Sequence, residues 1–358
     1  MEILALALLA LVVLAWSITR FHLRGPDLSA FDQPTGRRFS RGATPGVEHE
    51  RVVASLGDMS RLLEGVPRSQ QVPVLRRYMD DLFPAIDSDV SFTPADANGV
   101  PAEWVLAPGA DAAKRVLYLH GGAFTMGSPK SHRRLTSKFS EITGGAVLAI
   151  DYRLMPEHPR MAGVEDCRKA YRWLLENGPA GPGPAAKVWV AGDSAGGNLT
   201  LSLIAWVRDA GLRLPDAAVA LSPATDSTMG SPSLHSNIPS DPMLGPMFGP
   251  LAKTPRVLLL WMAWLQSRIT PCAPEVSPVF GDLSRLPPVL VQVSDAEMLR
   301  DDSRRYVNRA VAAGSPVQLQ TWDHMVHVWQ IFHPDLAEGR DAIEEIRKFL
   351  ERPAGAHE

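Results

Sequence analysis

The stretch Val188-Trp-Val-Ala-Gly-Asp-Ser-Ala-Gly-Gly197 leaves this chain few ways to fold. A short apolar run reads as a strand. It ends in Gly192-Asp193-Ser194-Ala195-Gly196, and a helical pattern with Leu199, Leu203, Ile204 and Val207 on one face begins at once. A strand that passes so abruptly into a helix puts the serine at the tip of a sharp turn. The serine backbone is then strained and its hydroxyl stands above the sheet edge. Glycines two residues to either side are needed, because side chains there would collide with the neighbouring strand or helix. Such a turn presents one serine as a nucleophile.

The surrounding sequence alternates between the two periods. Ser91–Pro94 and Val100–Leu106 read as an opening antiparallel hairpin, and Arg115–Leu119 as a strand. A helix over 129–142, a strand over 145–150 and a helix over 164–176 follow. Beyond the serine turn come a helix to Asp209 and a strand at Ala217–Leu221. The segment 229–250, full of Ser, Pro, Gly and Met, then breaks the rhythm, and 256–266 reads as an apolar helix with Trp261 and Trp264. A strand ending at Val293, a helix from Asp301, a strand over 317–322 and a closing helix over 336–350 complete the pattern. Alternation with buried-looking strands predicts an α/β fold: a mostly parallel central sheet with helices on both faces. The break predicts a cap inserted at about 227–275. Residues 25–50 read as a linker. The helical patterns at 52–63 and 72–83 are expected to form part of a lid, so the divisions are 1–24, 25–85 and 86–358.

A serine hydroxyl is inert near neutral pH and needs a base within hydrogen-bond reach. His324 and His327 follow the last predicted strand; His327 is preferred, because Val328-Trp329 after it lets its loop fold back over the sheet edge. The acid that orients the imidazole should follow the strand ending at Val293. Asp295 and Glu297 both fit by position, and local physics does not choose between them. Asp301 and Asp302 are better explained as charges meeting the N-terminal end of a helix dipole. His120-Gly121-Gly122-Ala123, after a strand, supplies backbone N–H groups that can approach a ligand oxygen. The expected oxyanion donors are Gly121, Gly122 and Ala195. The chain order is glycine loop, serine, acid, histidine.

With a net charge of −3 and no basic stripe, nucleic acid is not an expected partner. Cys167 and Cys272 form no metal-ligand pattern, and the mechanism requires no metal or cofactor. The N-terminus is unusual: Ile3 to Trp16 is unbroken apolar residues, weakly extended to Thr19. About 17 helical residues span roughly 26 Å, slightly short of a ~30 Å hydrocarbon core. No Lys or Arg precedes the run and its end is a poor cleavage site, so a retained membrane anchor over residues 3–19 is expected, with a cleaved signal peptide and a secreted or periplasmic protein as the alternative. Arginines at 20, 24, 37, 38 and 41 would leave the globular part on the cytoplasmic side. Oligomeric state is not encoded in any feature of the pattern.

Taken together, His120-Gly-Gly-Ala-Phe124 with Gly127-Ser128, Asp151-Tyr-Arg with Pro156-Glu-His-Pro159, Gly192–Asn198, Ser222-Pro with Asp226, Glu297–Asp302 and His327-Val-Trp329 resemble the hormone-sensitive-lipase-like α/β-hydrolases, in their Gly-Asp-Ser-Ala-Gly branch. The resemblance runs from about residue 95 to the end. It implies a serine carboxylesterase acting on short-chain acyl esters through Ser194, His327 and an acid. Aligned on its Arg-Asp pair, the acid position falls on Glu297. The resemblance also admits an N-acetyl or amide deacetylase, a lactone hydrolase or, remotely, a non-catalytic receptor. Many relatives carry a third glycine where this chain has Ala123, which narrows the expected donor loop.

Overall fold

The computed structural model describes residues 2–83 and 89–352. The expected boundary between residues 85 and 86 lies outside them. Nine strands form one sheet: β1 (Arg37–Phe39), β2 (Ser91–Asp96), β3 (Pro101–Leu106), β4 (Asp111–Leu119), β5 (Gly145–Ile150), β6 (Lys187–Asp193), β7 (Ala217–Leu221), β8 (Val289–Ser294) and β9 (Val317–Trp322). Their spatial order is β1-β9-β8-β7-β6-β4-β5-β3-β2. The β2–β3 and β3–β5 pairings are antiparallel and the rest parallel.

Parallel strands need covering on both faces, and period-two alternation sends their side chains into two separate cores. Leu117, Leu148 and Val190 point to one face, where they meet α5 (Arg160–Glu176), α6 (Ala195–Asp209) and α10 (Arg300–Ala312) through Tyr171, Ile204 and Tyr306. Val116, Val147 and Trp189 point to the other, against α4 (Arg133–Thr143) and α11 (Ala337–Leu350) through Phe139 and Ile346. Each fully buried Leu, Ile or Phe contributes roughly 1.5–3 kcal/mol of transfer free energy. These two layers therefore hold the frame on which the loops at the carboxyl ends of the strands sit. Cys167 is buried in the first core.

The remaining helices lie outside the frame. α1 (Glu2–Ile18), α2 (Val47–Arg61) and α3 (Arg68–Asp81) precede the hairpin; the short α7 (Ser233–Ser236), α8 (Leu244–Ala252) and α9 (Arg256–Ser267) lie between β7 and β8. α3 is fastened to the body by Arg76, whose guanidinium donates to the carbonyls of Thr125 and Met155 and to both carboxylate oxygens of Glu157.

One sequence reading needs correcting and a second needs extending. The stretch 25–50 is not only a linker, because Arg37–Phe39 adds β1 to the sheet edge. Phe39 stacks on Trp322 with ring centroids 4.5 Å apart. Three residues with two arginines carry no strand period, and only pairing with β9 makes them a strand. Asp301 and Asp302 do occupy the first turn of α10, but both are buried. Asp302 accepts the N–H groups of Thr225 and Asp226 at 2.7 and 2.9 Å and the hydroxyl of Ser231, and Asp301 accepts the N–H of Ser233 at 3.0 Å. They tether the root of the cap, which is a long-range task that a helix-end pattern does not disclose.

Candidate active site

β6 ends at Asp193 and α6 begins at Ala195, so the whole reversal falls on Ser194, with φ +52° and ψ −114°. Non-glycine residues avoid this region, and strain held there marks a position fixed by its surroundings. The flanking glycines are sterically required. A Cβ on Gly192 would come within 2.5 Å of the Gly196 carbonyl, and one on Gly196 would fall on the Leu119 carbonyl.

Three strand ends converge beside this turn. Ser194 Oγ lies 2.9 Å from His327 Nε2, and His327 Nδ1 lies 2.6 Å from Glu297 Oε2. The carboxylate can only accept, so Nδ1 carries the hydrogen and Nε2 is left to accept from the serine hydroxyl. Glu297 is fully buried, and its other oxygen accepts the Ser294 N–H at 2.9 Å. Burial would lower the basicity of His327, but the hydrogen bond to Glu297 and its charge outweigh burial and hold the imidazole above its ordinary 6.5.

Among the described residues neither competing candidate is hydrogen-bonded to Ser194 or His327. Asp295 accepts the backbone N–H of His324 at 2.8 Å and pairs with Arg38 at 3.1 Å, an arginine that also binds Asp323. His324 sits in a left-handed conformation, φ +65°, at the start of the loop. The acid loop is held from the cap, because Asn237 donates to the carbonyls of Asp295 and Glu297, and Asp241 accepts the Met298 N–H. Neither Asn237 nor Asp241 carries a local signal that marks it in advance.

The donor loop requires a correction. Gly121 directs its N–H at Asp193 Oδ1, 3.1 Å away. That amide is already engaged and is not free for an oxyanion. Gly122, at φ +115°, accepts the N–H groups of Thr125 and Met126 on its carbonyl, and Ala123 follows at φ +52°. The N–H groups of Gly122, Ala123 and Ala195 make no hydrogen bond among the described residues. Gly122, Ala123 and Ser194 line one cavity together.

Asp193, which no sequence pattern singles out, organises this loop. It is buried and also accepts the Tyr118 hydroxyl at 2.7 Å; His132 Nε2 donates to its second oxygen at 3.2 Å. Burial would raise the Asp193 carboxyl, but the adjacent His132 prevails and holds it below its ordinary range. His120, stacked on Tyr152 at 4.3 Å, is pushed down to about 3 by burial and by its neighbour His132, so it stays neutral. The only available signal for Asp193 was its place inside the serine turn.

Ser194 borders two apolar cavities. One is lined by Leu56, Met79 and Leu82 from the N-terminal helices, by Met247 from α8, and by Phe332. The other is lined by Phe124, Met229, Leu251, Met298 and Leu299. Leu244 and Phe248 of α8 wall both. The lids thus supply Met and Phe to these two cavities, and neither Trp261 nor Trp264 lines them. Trp261 and Trp264 pack against the foot of α1 instead, through Thr19 and His22.

Residues 116–331 match the alpha/beta hydrolase fold family. The chain is 42% identical over 254 residues to an acetyl-hydrolase of Streptomyces hygroscopicus, covering 71% of this chain and 80% of that one. It is 32% identical over 279 residues to esterase LipU of Mycobacterium tuberculosis, covering 76% and 90%. Its fold is similar, with a TM-score of 0.75, 38% identity and coverage of 87% and 100%, to the crystal structure of an esterase from the bacterial hormone-sensitive lipase family. The chain therefore belongs to the α/β-hydrolases of the hormone-sensitive-lipase-like kind. Within that class it is an ester-hydrolysing serine hydrolase.

Proposed function

We propose a carboxylesterase acting on short-chain acyl esters through Ser194, His327 and Glu297, with an oxyanion site built from Gly122, Ala123 and Ala195. The observation that carries this reading is the unbroken run of contacts from Ser194 Oγ to His327 to Glu297, at 2.9 and 2.6 Å.

His327 Nε2 takes the Ser194 proton as Oγ bonds to the ester carbonyl carbon, and the carbonyl π pair moves onto oxygen. The resulting oxyanion meets the three N–H groups, which need no rearrangement. The intermediate collapses, its bond to the alcohol oxygen breaks, and His327 gives that oxygen its proton. Water then repeats the sequence on the acyl-serine. His327 removes a proton from the water, a carboxylic acid is released, and Ser194 Oγ recovers its hydrogen. Glu297 stays ionised throughout and stabilises the imidazolium. The two apolar cavities suit the acyl and alcohol portions of the ester.

The test is hydrolysis of p-nitrophenyl acetate and butyrate by Ser194→Ala. A loss of about 10⁶ in kcat, with an unchanged circular dichroism spectrum, is expected. Turnover retained by the folded variant would refute the nucleophile.

A further inference from the structure

Ile3–Leu23 form one apolar helical stretch of 21 residues, roughly 32 Å at 1.5 Å per residue. That length matches a ~30 Å hydrocarbon core. Its large apolar side chains from Ile3 to Trp16 are all more than half exposed. At Thr19 the helix widens into a π-turn, Thr19–Leu23, and there the chain is fastened to α9. Trp261 Nε1 donates to Thr19 Oγ1 at 2.8 Å, and the Trp264 ring meets His22 edge-on at 5.9 Å. Gly25 then turns at φ +70°, so close to the body that a Cβ would lie 2.9 Å from the Phe280 ring.

Helical spacing places two rows side by side on α9. Val257, Trp261 and Trp264 form one row, and its two tryptophans grip the foot of α1. Leu258, Met262 and Leu265 form the adjacent row, and they are 54%, 54% and 51% exposed. Leu259 and Leu260, on the other side, are buried in the protein. An uncovered apolar row thus runs alongside the point where a membrane-length helix meets the globular body. Tryptophans at that level are characteristic of a membrane–water interface. The charge beside them fits the same surface. Arg20, Arg24, Arg256 and Arg305 line one polar recess with Asp27 and Asp226. Arg20 and Arg24 make no ion pair among the described residues. Three residues after α8, whose Leu244 and Phe248 wall both cavities, α9 begins.

We propose that α9 is an interfacial helix: with α1 across a bilayer, the Leu258–Met262–Leu265 row seats among the head groups of an anionic phospholipid membrane, and the cap draws short acyl esters of lipophilic alcohols from that membrane. The substrate part rests on the esterase reading above, whereas the docking part does not.

The full-length protein is reconstituted in phosphatidylcholine–phosphatidylglycerol vesicles. In a Cys272→Ser background, single labels at Met262→Cys, Leu8→Cys and Val311→Cys carry an environment-sensitive fluorophore, and quenching by spin-labelled lipid is read. Quenching at 8 and 262 but not at 311, a residue 52% exposed on α10, is expected. A label at 262 as unquenched as that at 311, or an unquenched label at 8, overturns the proposal. The second arm uses Leu258→Asp/Met262→Asp, two positions that line neither cavity. Unchanged hydrolysis of p-nitrophenyl acetate in water, with about tenfold slower hydrolysis of hexadecyl acetate held in the vesicles, is expected. Equal effects on both esters overturn it. Failure of the esterase reading registers separately, as a wild-type protein inert toward p-nitrophenyl acetate whose fluorescence result still stands.

Discussion

Asp193 Oδ1 accepts the backbone N–H of Gly121 at 3.1 Å, tying the residue before the strained serine to the glycine loop that carries the proposed oxyanion donors. The same oxygen holds the Tyr118 hydroxyl at 2.7 Å. Serine turn and donor loop are thus set against each other by one buried carboxylate. Asp193→Ala should release the loop and lower kcat about 10–100-fold while KM changes little, because Asp193 acts through backbone groups whose contribution arises in the transition state. Steady-state kinetics on p-nitrophenyl butyrate decide this, and an unaltered kcat would remove Asp193 from the account.

Ala123 is held at φ +52°, where a Cβ is strained. If it serves through its N–H, the side chain is dispensable. Ala123→Gly should keep kcat within about threefold and leave stability unchanged or raised by up to ~1 kcal/mol, from relief of strain at a left-handed position. A large fall in kcat in a normally folded variant would mean that the methyl group itself shapes the site.

Glu297 and Asp295 separate by partner. Glu297→Gln, which keeps the volume but loses the charge facing Nδ1, should lower kcat about 10²–10⁴-fold. Asp295→Asn should leave kcat near wild type, because its contacts are the His324 amide and Arg38. The converse ranking would reverse the assignment of the acid.

In the proposed mechanism His327 must be neutral to accept the serine proton, and Glu297 holds its titration above the ordinary 6.5. The rate of acylation should therefore fall as pH drops through a value above 6.5, with the protonated imidazole inactive on the acid side. Glu297→Gln should move that limb to lower pH, since the uncharged amide no longer favours the imidazolium. A pH–kcat/KM profile for both proteins reads this directly, and a limb that does not move would contradict the pairing.

Much of the site was legible in the chain because its demands are local. Glycines at 192 and 196 are imposed by the backbone path of a single turn, and alternation of apolar residues announces each buried strand. The residues that follow His327 favour it over His324. Asp295 against Glu297 was open on local grounds, since two carboxylates two residues apart differ only in where the loop aims them. Consecutive glycines look alike in sequence, so Gly121 and Gly122 are equally plausible donors there; which amide remains free depends on which one Asp193 captures.

The sequence alone settled the elements of the sheet's interior, the serine at the head of α6 and the order of the chemical groups, because these follow from short-range sterics and hydrophobic periodicity. Tertiary structure decided the rest: that Arg37–Phe39 joins β9 as an edge strand, that Asp301 and Asp302 tether the cap, and that Trp261 and Trp264 brace α1 rather than line a cavity. Each of these depends on partners far away along the chain, and such contacts leave no periodic trace in the residues that make them.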